Sequence, residues 1–188
     1  LYHKDELLQE ADVPDIFKVL DQIAERVPAG ANGVTYTPWI WGERAPVDDK
    51  TVRAGLYNLS LHNTREDIIR AFLEGIAFNT RWLIKPVEKF LGQHVKSINI
   101  VGGGAQSDVW CQIFADVLNV EIKQVADPIY ANARGAAWIG AAGLGRIKFS
   151  DVPKLVEIKR AYQPQPANRK IYDERFEIFT QIYKQMSP

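Results

Sequence analysis

The chain has 188 residues, 46% hydrophobic and 24% charged, a composition that suits one globular domain or a domain with extensions. Its 23 Lys and Arg balance its 23 Asp and Glu, which removes any broad electrostatic case for nucleic acid or an anionic membrane as partner. Cys111 is the only cysteine, so an intrachain disulfide is excluded and a reducing compartment is favoured.

No signal-peptide pattern opens the chain. The most apolar stretch, residues 135–144, is far shorter than the ~20 residues of a membrane-spanning helix. A soluble, cytoplasmic protein is expected. The only methionine is Met186 and the chain opens on Leu1. A piece of a longer protein is therefore expected, with catalytic residues lying elsewhere.

In chain order, Val13 to Arg26 carries Ile16, Val19, Leu20 and Ile23 at helical spacing, with Asp12 as N-cap and Pro14 in the first turn. Pro and Gly in "VPAGANG" (27–33) break the chain. "VTYTPWIW" (34–41) is β-branched and aromatic, so it predicts an extended segment interrupted at Pro38. Residues 42–55 read as a polar loop and "LYNLSL" (56–61) as a second short strand.

Thr64 and Asp67 predict a capping box at the start of the longest helix. There Ile68, Ile69, Phe72, Ile76 and Leu83 share one face, while Arg65, Glu66, Arg70, Glu74 and Arg81 fall mostly elsewhere. A glycine inside a helix costs about 1 kcal/mol relative to alanine. Gly75 therefore predicts another element packed closely against it.

Strand and helix then alternate: strand 97–101, three glycines, helix 107–118, strand 120–125 and helix 131–143. The helix from Ser107 predicts a buried stripe of Val109, Trp110, Ile113, Phe114, Val117 and Leu118, ended by Asn119 in a left-handed cap. The helix at 131–143 is rich in Ala and Gly. Gly135 and Gly140 in it predict close approach to a sheet or a ligand. A polar linker (163–169) leads to a last helix holding Ile171, Tyr172, Phe176, Phe179, Ile182 and Tyr183. The class is α/β.

The junction "SINIVGGGAQSDVW" is the place where backbone can approach a nucleotide, with free N–H groups at the helix start to meet it. It equally describes a plain strand-to-helix turn. Gly102, Gly104 and Ser107 nearly spell a dinucleotide fingerprint. The third glycine is missing, however, and the acid at about the right distance, Glu121, opens the second strand. At that strand's carboxyl end, where a ribose-binding acid belongs, stand Gln124 and Val125. No Gly-Lys-Ser/Thr follows the glycines, so a P-loop is excluded. No Lys or Arg lies in the first turn of the helix to hold a triphosphate. The junction suits adenine and ribose better than phosphates.

"IVGGGAQSDVWCQIFADVLNVEI" closely resembles the adenosine motif of the FGGY carbohydrate kinases, within the actin-like ATPase (ribonuclease H-like) superfamily. Three more stretches resemble the same family in the same order: "TPWIWGERAPVDDKTVRAGLYNLSL", "HNTREDIIRAFLEGIAFNTR" and "ARGAAWIGAAGLG". The GER-type loop is most similar to that of the xylulose kinases. The resemblance implies a ribonuclease H-like domain with a mixed sheet flanked by helices. It implies that residues 1–188 form the carboxyl-terminal, ATP-side lobe, incomplete at its amino end. It also implies a reaction in which the γ-phosphoryl group of Mg·ATP passes to a sugar hydroxyl, xylulose first among the sugars.

On this chain the resemblance places Gly103 and Gly104 against adenine and ribose, Ser107 within reach of the base and Gly102 at the turn, with Gln106 and Asp108 nearby. The family's catalytic aspartate, its first phosphate loop and most sugar contacts lie upstream. Leu1 falls just after the expected second phosphate-binding glycine turn. The isolated chain is expected to be inactive, with no catalytic or metal-binding residue of its own, and the sugar is expected to bind mainly to the absent lobe. Two other readings stand beside this one: a non-catalytic nucleotide-binding regulator of the actin-like superfamily and, more weakly, a dinucleotide-dependent oxidoreductase.

The remaining candidates have plainer readings. Glu43 and Arg44 are expected to brace their loop as a local ion pair, and Asp48 and Asp49 to be solvated turn residues. His3, His62 and His94 never fall at metal-ligand spacing. Cys111, Trp110 and Trp138 are expected in the core, and Arg134 in a surface contact. The aromatics of "WIWGER" suggest a homodimer contact.

Overall fold

The computed structural model describes residues 15–186. The first helix, α1 (Ile16–Glu25), starts three residues later than expected, because Asp15 supplies the N-cap by accepting from the Phe17 N–H at 3.0 Å. Asp12, Pro14, His3 and Leu1 lie outside the described residues. Val19, Ile23 and Ala24 are its buried positions. Two short antiparallel strands follow, β1 (Thr35–Thr37) and β2 (Gly55–Tyr57), in register Tyr36 to Leu56. Both are shorter than the apolar runs that contain them, the first because Pro38 cannot donate to a ladder.

Helix α2 (Arg65–Leu91) opens on the expected capping box of Thr64 and Asp67 and closes on Gly92 in the left-handed conformation. Its buried face differs from the expected one. Arg70, Ala71, Glu74, Gly75, Ala77 and Phe78 face inward, whereas Phe72 and Ile76 are 39% and 37% exposed. The reason is a buried polar knot. Glu74 Oε1 accepts from Arg70 Nε at 2.8 Å, the Tyr172 hydroxyl at 2.9 Å and the Gly30 N–H at 3.0 Å. Arg70 also donates to the Ala24 carbonyl at 3.1 Å and to the Tyr172 oxygen at 2.9 Å. Burial pushes the Glu74 carboxyl above its ordinary value. Burial opposes the Arg70 cation, but Tyr172 and Glu74 facing it leave it above its own. Three separate parts of the chain are thus tied to one helix turn. Gly75 behaves as predicted: a Cβ there would lie 2.3 Å from the Tyr36 carbonyl oxygen, so α2 presses directly on β1.

The second sheet holds β3 (Ser97–Ile100), β4 (Glu121–Val125) and β5 (Ile158–Tyr162) in that order. β3 and β4 are parallel, joined through α3 (Asp108–Leu118), and β5 is antiparallel to β4. Asn119 takes the left-handed cap after α3 as expected. Between β4 and β5 lie α4 (Ala131–Gly143) and the single turn α5 (Val152–Leu155). Strand β5 and helix α5 are not anticipated by the sequence reading. The last helix, α6 (Arg169–Met186), buries Tyr172, Phe176, Phe179 and Ile182 as predicted.

These rings join Trp39, Phe78, Cys111, Val117 and Ile122 in the main core, where the Trp39 and Phe179 ring centroids are 5.2 Å apart. Cys111 is fully buried, and burial pushes its thiol up to about 12. In α3 the buried set is Cys111, Ile113, Ala115, Asp116, Val117 and Leu118, while Val109, Trp110 and Phe114 are half-buried. Helix α4 departs further from expectation. None of its residues is buried, Trp138 included, and among the described residues nothing lies within 4 Å of a Cβ built at Gly135 or Gly140. No helix among the described residues is long and apolar enough to cross a membrane.

Candidate adenosine cleft

The glycine junction forms a 3-10 turn over Gly103–Gln106 that feeds directly into α3. Gly102, before it, has φ +91° and ψ −174°, a conformation essentially confined to glycine, and its N–H donates to the Pro128 carbonyl at 2.8 Å. Ser107 caps α3 by accepting from the Trp110 N–H at 2.9 Å. Its hydroxyl also bonds to the Asp21 carboxylate, whose pKa burial raises. Gly104 is glycine for an internal reason, since a Cβ there would lie 2.5 Å from the Trp110 ring. Gly103 has no such constraint: nothing lies within 4 Å of the place its Cβ would occupy.

Gly103 also borders a cleft of about 730 Å³. Gly103, Gly104, Gln106 and Ser107 line one side of it. Opposite them Phe17 and Leu20 of α1 and Ile69, Phe72 and Leu73 of α2 make an apolar wall, with Trp110 beside the glycines. Trp110 is held there by its ring N–H, which donates to the Leu73 carbonyl at 3.0 Å, and by its stack on Phe114. The apolar stripe of α2 that the core does not bury is thus this cleft's wall. Lys18, Asp21, Asp127 and Lys159 supply charge around it. Flat apolar walls, backbone without side chains and a few polar groups are the surroundings a purine and its ribose need.

The expected site residues divide. Gly103, Gly104, Gln106 and Ser107 converge on the cleft, and Gly102 shapes the turn behind it. Asp108 does not join them. It lines a second, polar cleft of about 400 Å³ shared with Arg160 and Tyr162, and faces Lys159 at 3.7 Å and Arg160 at 3.6 Å. Burial opposes its charge, but Tyr162, Gln124 and these cations hold its carboxyl below the ordinary value. The sequence reading passed over Phe17, Lys18, Leu20 and Asp21. The available signal was the apolar pair Ile16–Phe17, more than the buried face of α1 needs. Lys159 had no local signal, because β5 itself was not foreseen.

The plainer candidates resolve as follows. No ion pair joins Glu43 to Arg44 among the described residues. Instead Glu43 Oε1 accepts from the Arg44 and Ala45 N–H groups at 2.8 and 2.9 Å. Asp49 is half-exposed and braces its turn: it accepts from the Thr51 hydroxyl and N–H, at 2.6 and 2.8 Å, and from the Tyr183 hydroxyl at 3.3 Å. The Thr51 bonds lower its pKa. Asp48 and His62 are exposed, and His94 faces Glu88 at 3.3 Å. Arg134 lies on α4 and does not line the cleft. Trp41, in the GER loop, is 93% exposed.

Residues 2–144 match the C-terminal domain of the FGGY family of carbohydrate kinases. A xylulose kinase of Staphylococcus epidermidis is 33% identical over 171 residues, 90% of this chain and 34% of its own length. A gluconokinase of Bacillus licheniformis is 31% identical over 169 residues, 89% of this chain and 33% of its own. In three dimensions the chain is similar to the crystal structure of xylulose kinase from Rhodospirillum rubrum, with TM-score 0.78, 33% identity and coverage of 97% of this chain and 36% of that one. The chain therefore spans about a third of the length of the curated relatives it matches. The ordered motifs, the fold and these likenesses agree, and the chain belongs to the FGGY family of carbohydrate kinases.

Proposed function

We propose that residues 1–188 are the carboxyl-terminal, ATP-side part of a sugar kinase and that the cleft between α1, α2 and the glycine turn holds the adenosine of ATP. The observation that carries this reading is the open face of Gly103 within a cleft whose opposite wall is apolar. Adenine would lie over Gly103 with its faces toward Phe72, Leu73 and Trp110, where burial of a flat ring is favourable. Gln106, at the mouth, is the side chain free to hydrogen-bond the base. The Ser107 hydroxyl is already shared with the Trp110 N–H and Asp21, so its part is to hold the helix start in place.

Phosphoryl transfer rests on positioning and on neutralising charge around the transferred group. This chain supplies the first for the nucleoside end. Among the described residues no group of three or more His, Cys, Asp or Glu is arranged to hold a metal ion. The general base, the groups that hold Mg and most sugar contacts would belong to the remaining two thirds of the protein. The isolated chain would then be inactive. Two features support a domain completed by further chain: among the described residues β3 pairs on one edge only, and α4 buries no residue.

For the acceptor, xylulose is favoured by the GER-type loop and by the named function of the Staphylococcus relative. Gluconate is the competing acceptor, from the Bacillus one. Phosphorylation assays of the complete protein with ATP over ketoses, polyols and aldonic acids test both. Turnover of D-xylulose above all others is the expected result, and turnover of an aldonic acid alone would reassign the substrate. ATP binding with no turnover on any acceptor would favour the regulatory reading instead.

A further inference from the structure

We infer that Gln124 is a positioning residue that sets the shape of the glycine turn and thereby tunes nucleotide affinity; this rests on the cleft being the adenosine site. Gln124 is the next-to-last residue of β4, at the irregularity where the register against β5 shifts; it is wholly buried, 0% exposed, and borders the cleft from beneath the turn it bonds. A buried amide at the end of a strand is expensive unless its hydrogen bonds are made. Here they are made, and to unusual partners. Nε2 donates to the Ala105 carbonyl at 2.7 Å and to Asp108 Oδ1 at 3.1 Å, while Oε1 accepts from the Tyr162 hydroxyl at 3.2 Å. Both neighbours of the nitrogen are acceptors and the neighbour of the oxygen can donate, which fixes the orientation of the amide.

The bond to Ala105 is the consequential one. Ala105 is the buried middle of the 3-10 turn whose other residues, Gly103, Gly104 and Gln106, face the cleft. The three glycines that precede it give this backbone little resistance to rotation. The amide of Gln124 holds the Ala105 carbonyl, and so fixes the peptide plane that joins Ala105 to Gln106 between residues lining the cleft. Without that donor the Ala105 oxygen would be left to the Cys111 thiol at 3.9 Å, a weak and long contact. A buried carbonyl so placed rotates toward a better donor, and the cleft-lining atoms rotate with it.

The test uses the complete enzyme and Gln124→Met, which keeps length and volume but cannot donate. The Michaelis constant for ATP should rise about tenfold, with kcat and the constant for the sugar within about twofold, since only nucleotide placement changes. A merely structural glutamine would lower the melting temperature and leave the ATP constant where it was, and that result overturns the inference. Should Gln124→Met fail to fold, Tyr162→Phe loosens the same amide from its other side. It should raise the ATP constant roughly two- to threefold, and no change there also overturns the inference. Gly103→Val, measured in parallel, separates the two levels. If it too leaves ATP binding unchanged, the cleft is not the adenosine site. If it weakens ATP binding while Gln124→Met does not, only the role of Gln124 falls.

Discussion

Gly75 and Gly103 sit in two of the motifs that mark this family, and they are glycines for opposite reasons. At Gly75 the chain itself fills the space, with the Tyr36 carbonyl 2.3 Å from any added Cβ. At Gly103 the chain leaves the space empty and surrounds it with an apolar wall. The motif around Gly75, with Arg70 and Glu74, is spent on holding elements together. The motif around Gly103 is left open to something that is not protein. A motif glycine crowded by the fold reports on stability, and one that lines a cleft with its Cβ position open reports on what the cleft can hold.

Substitutions can break or sharpen that contrast, beginning on the internal side. Glu74→Ala removes the acceptor shared by Arg70, Tyr172 and Gly30 and strands a buried guanidinium. It should cost about 3–5 kcal/mol in urea unfolding of the complete enzyme. A loss near zero would mean that the knot is not what fastens α2. Gly75→Ala gains helix propensity but drives a methyl into backbone, for a net loss of about 1–3 kcal/mol. Gly102→Ala meets no atom within 4 Å, yet at φ +91° it should still lose about 1 kcal/mol through backbone strain. No loss at Gly102 would show that its backbone conformation is not what requires glycine there.

How much of this could be read beforehand follows from where each signal lies. The capping box at Thr64, the left-handed Asn119, the close approach at Gly75 and the aromatic face of α6 are local patterns, and the structure has all four. The buried face of α2 was misread because periodicity assigns charge to solvent. Arg70 and Glu74 pair with each other, but burying that pair depends on hydrogen bonds with Ala24, Gly30 and Tyr172, groups 44 to 102 residues away in sequence, which no window along the helix contains. The same misreading hid the site, since the stripe holding Ile69 and Phe72 is apolar for the cleft and not for the core. β5 escaped because four of its five residues are exposed, so no apolar alternation marks it. Gln124 was noted only as the absence of a ribose-binding acid, and its bond to the turn becomes visible only once β4 lies beneath Ala105.

The central claim is that the empty face of Gly103 is an adenosine seat. Gly103→Val in the complete enzyme tests it most directly, because Gly103 lines the cleft and, among the described residues, no atom lies within 4 Å of an added Cβ. Gly104→Val would strike Trp110 as well and confound the result. The account predicts an ATP dissociation constant raised about tenfold or more, with a melting temperature unchanged. Unaltered ATP affinity in a folded Gly103→Val enzyme would contradict it.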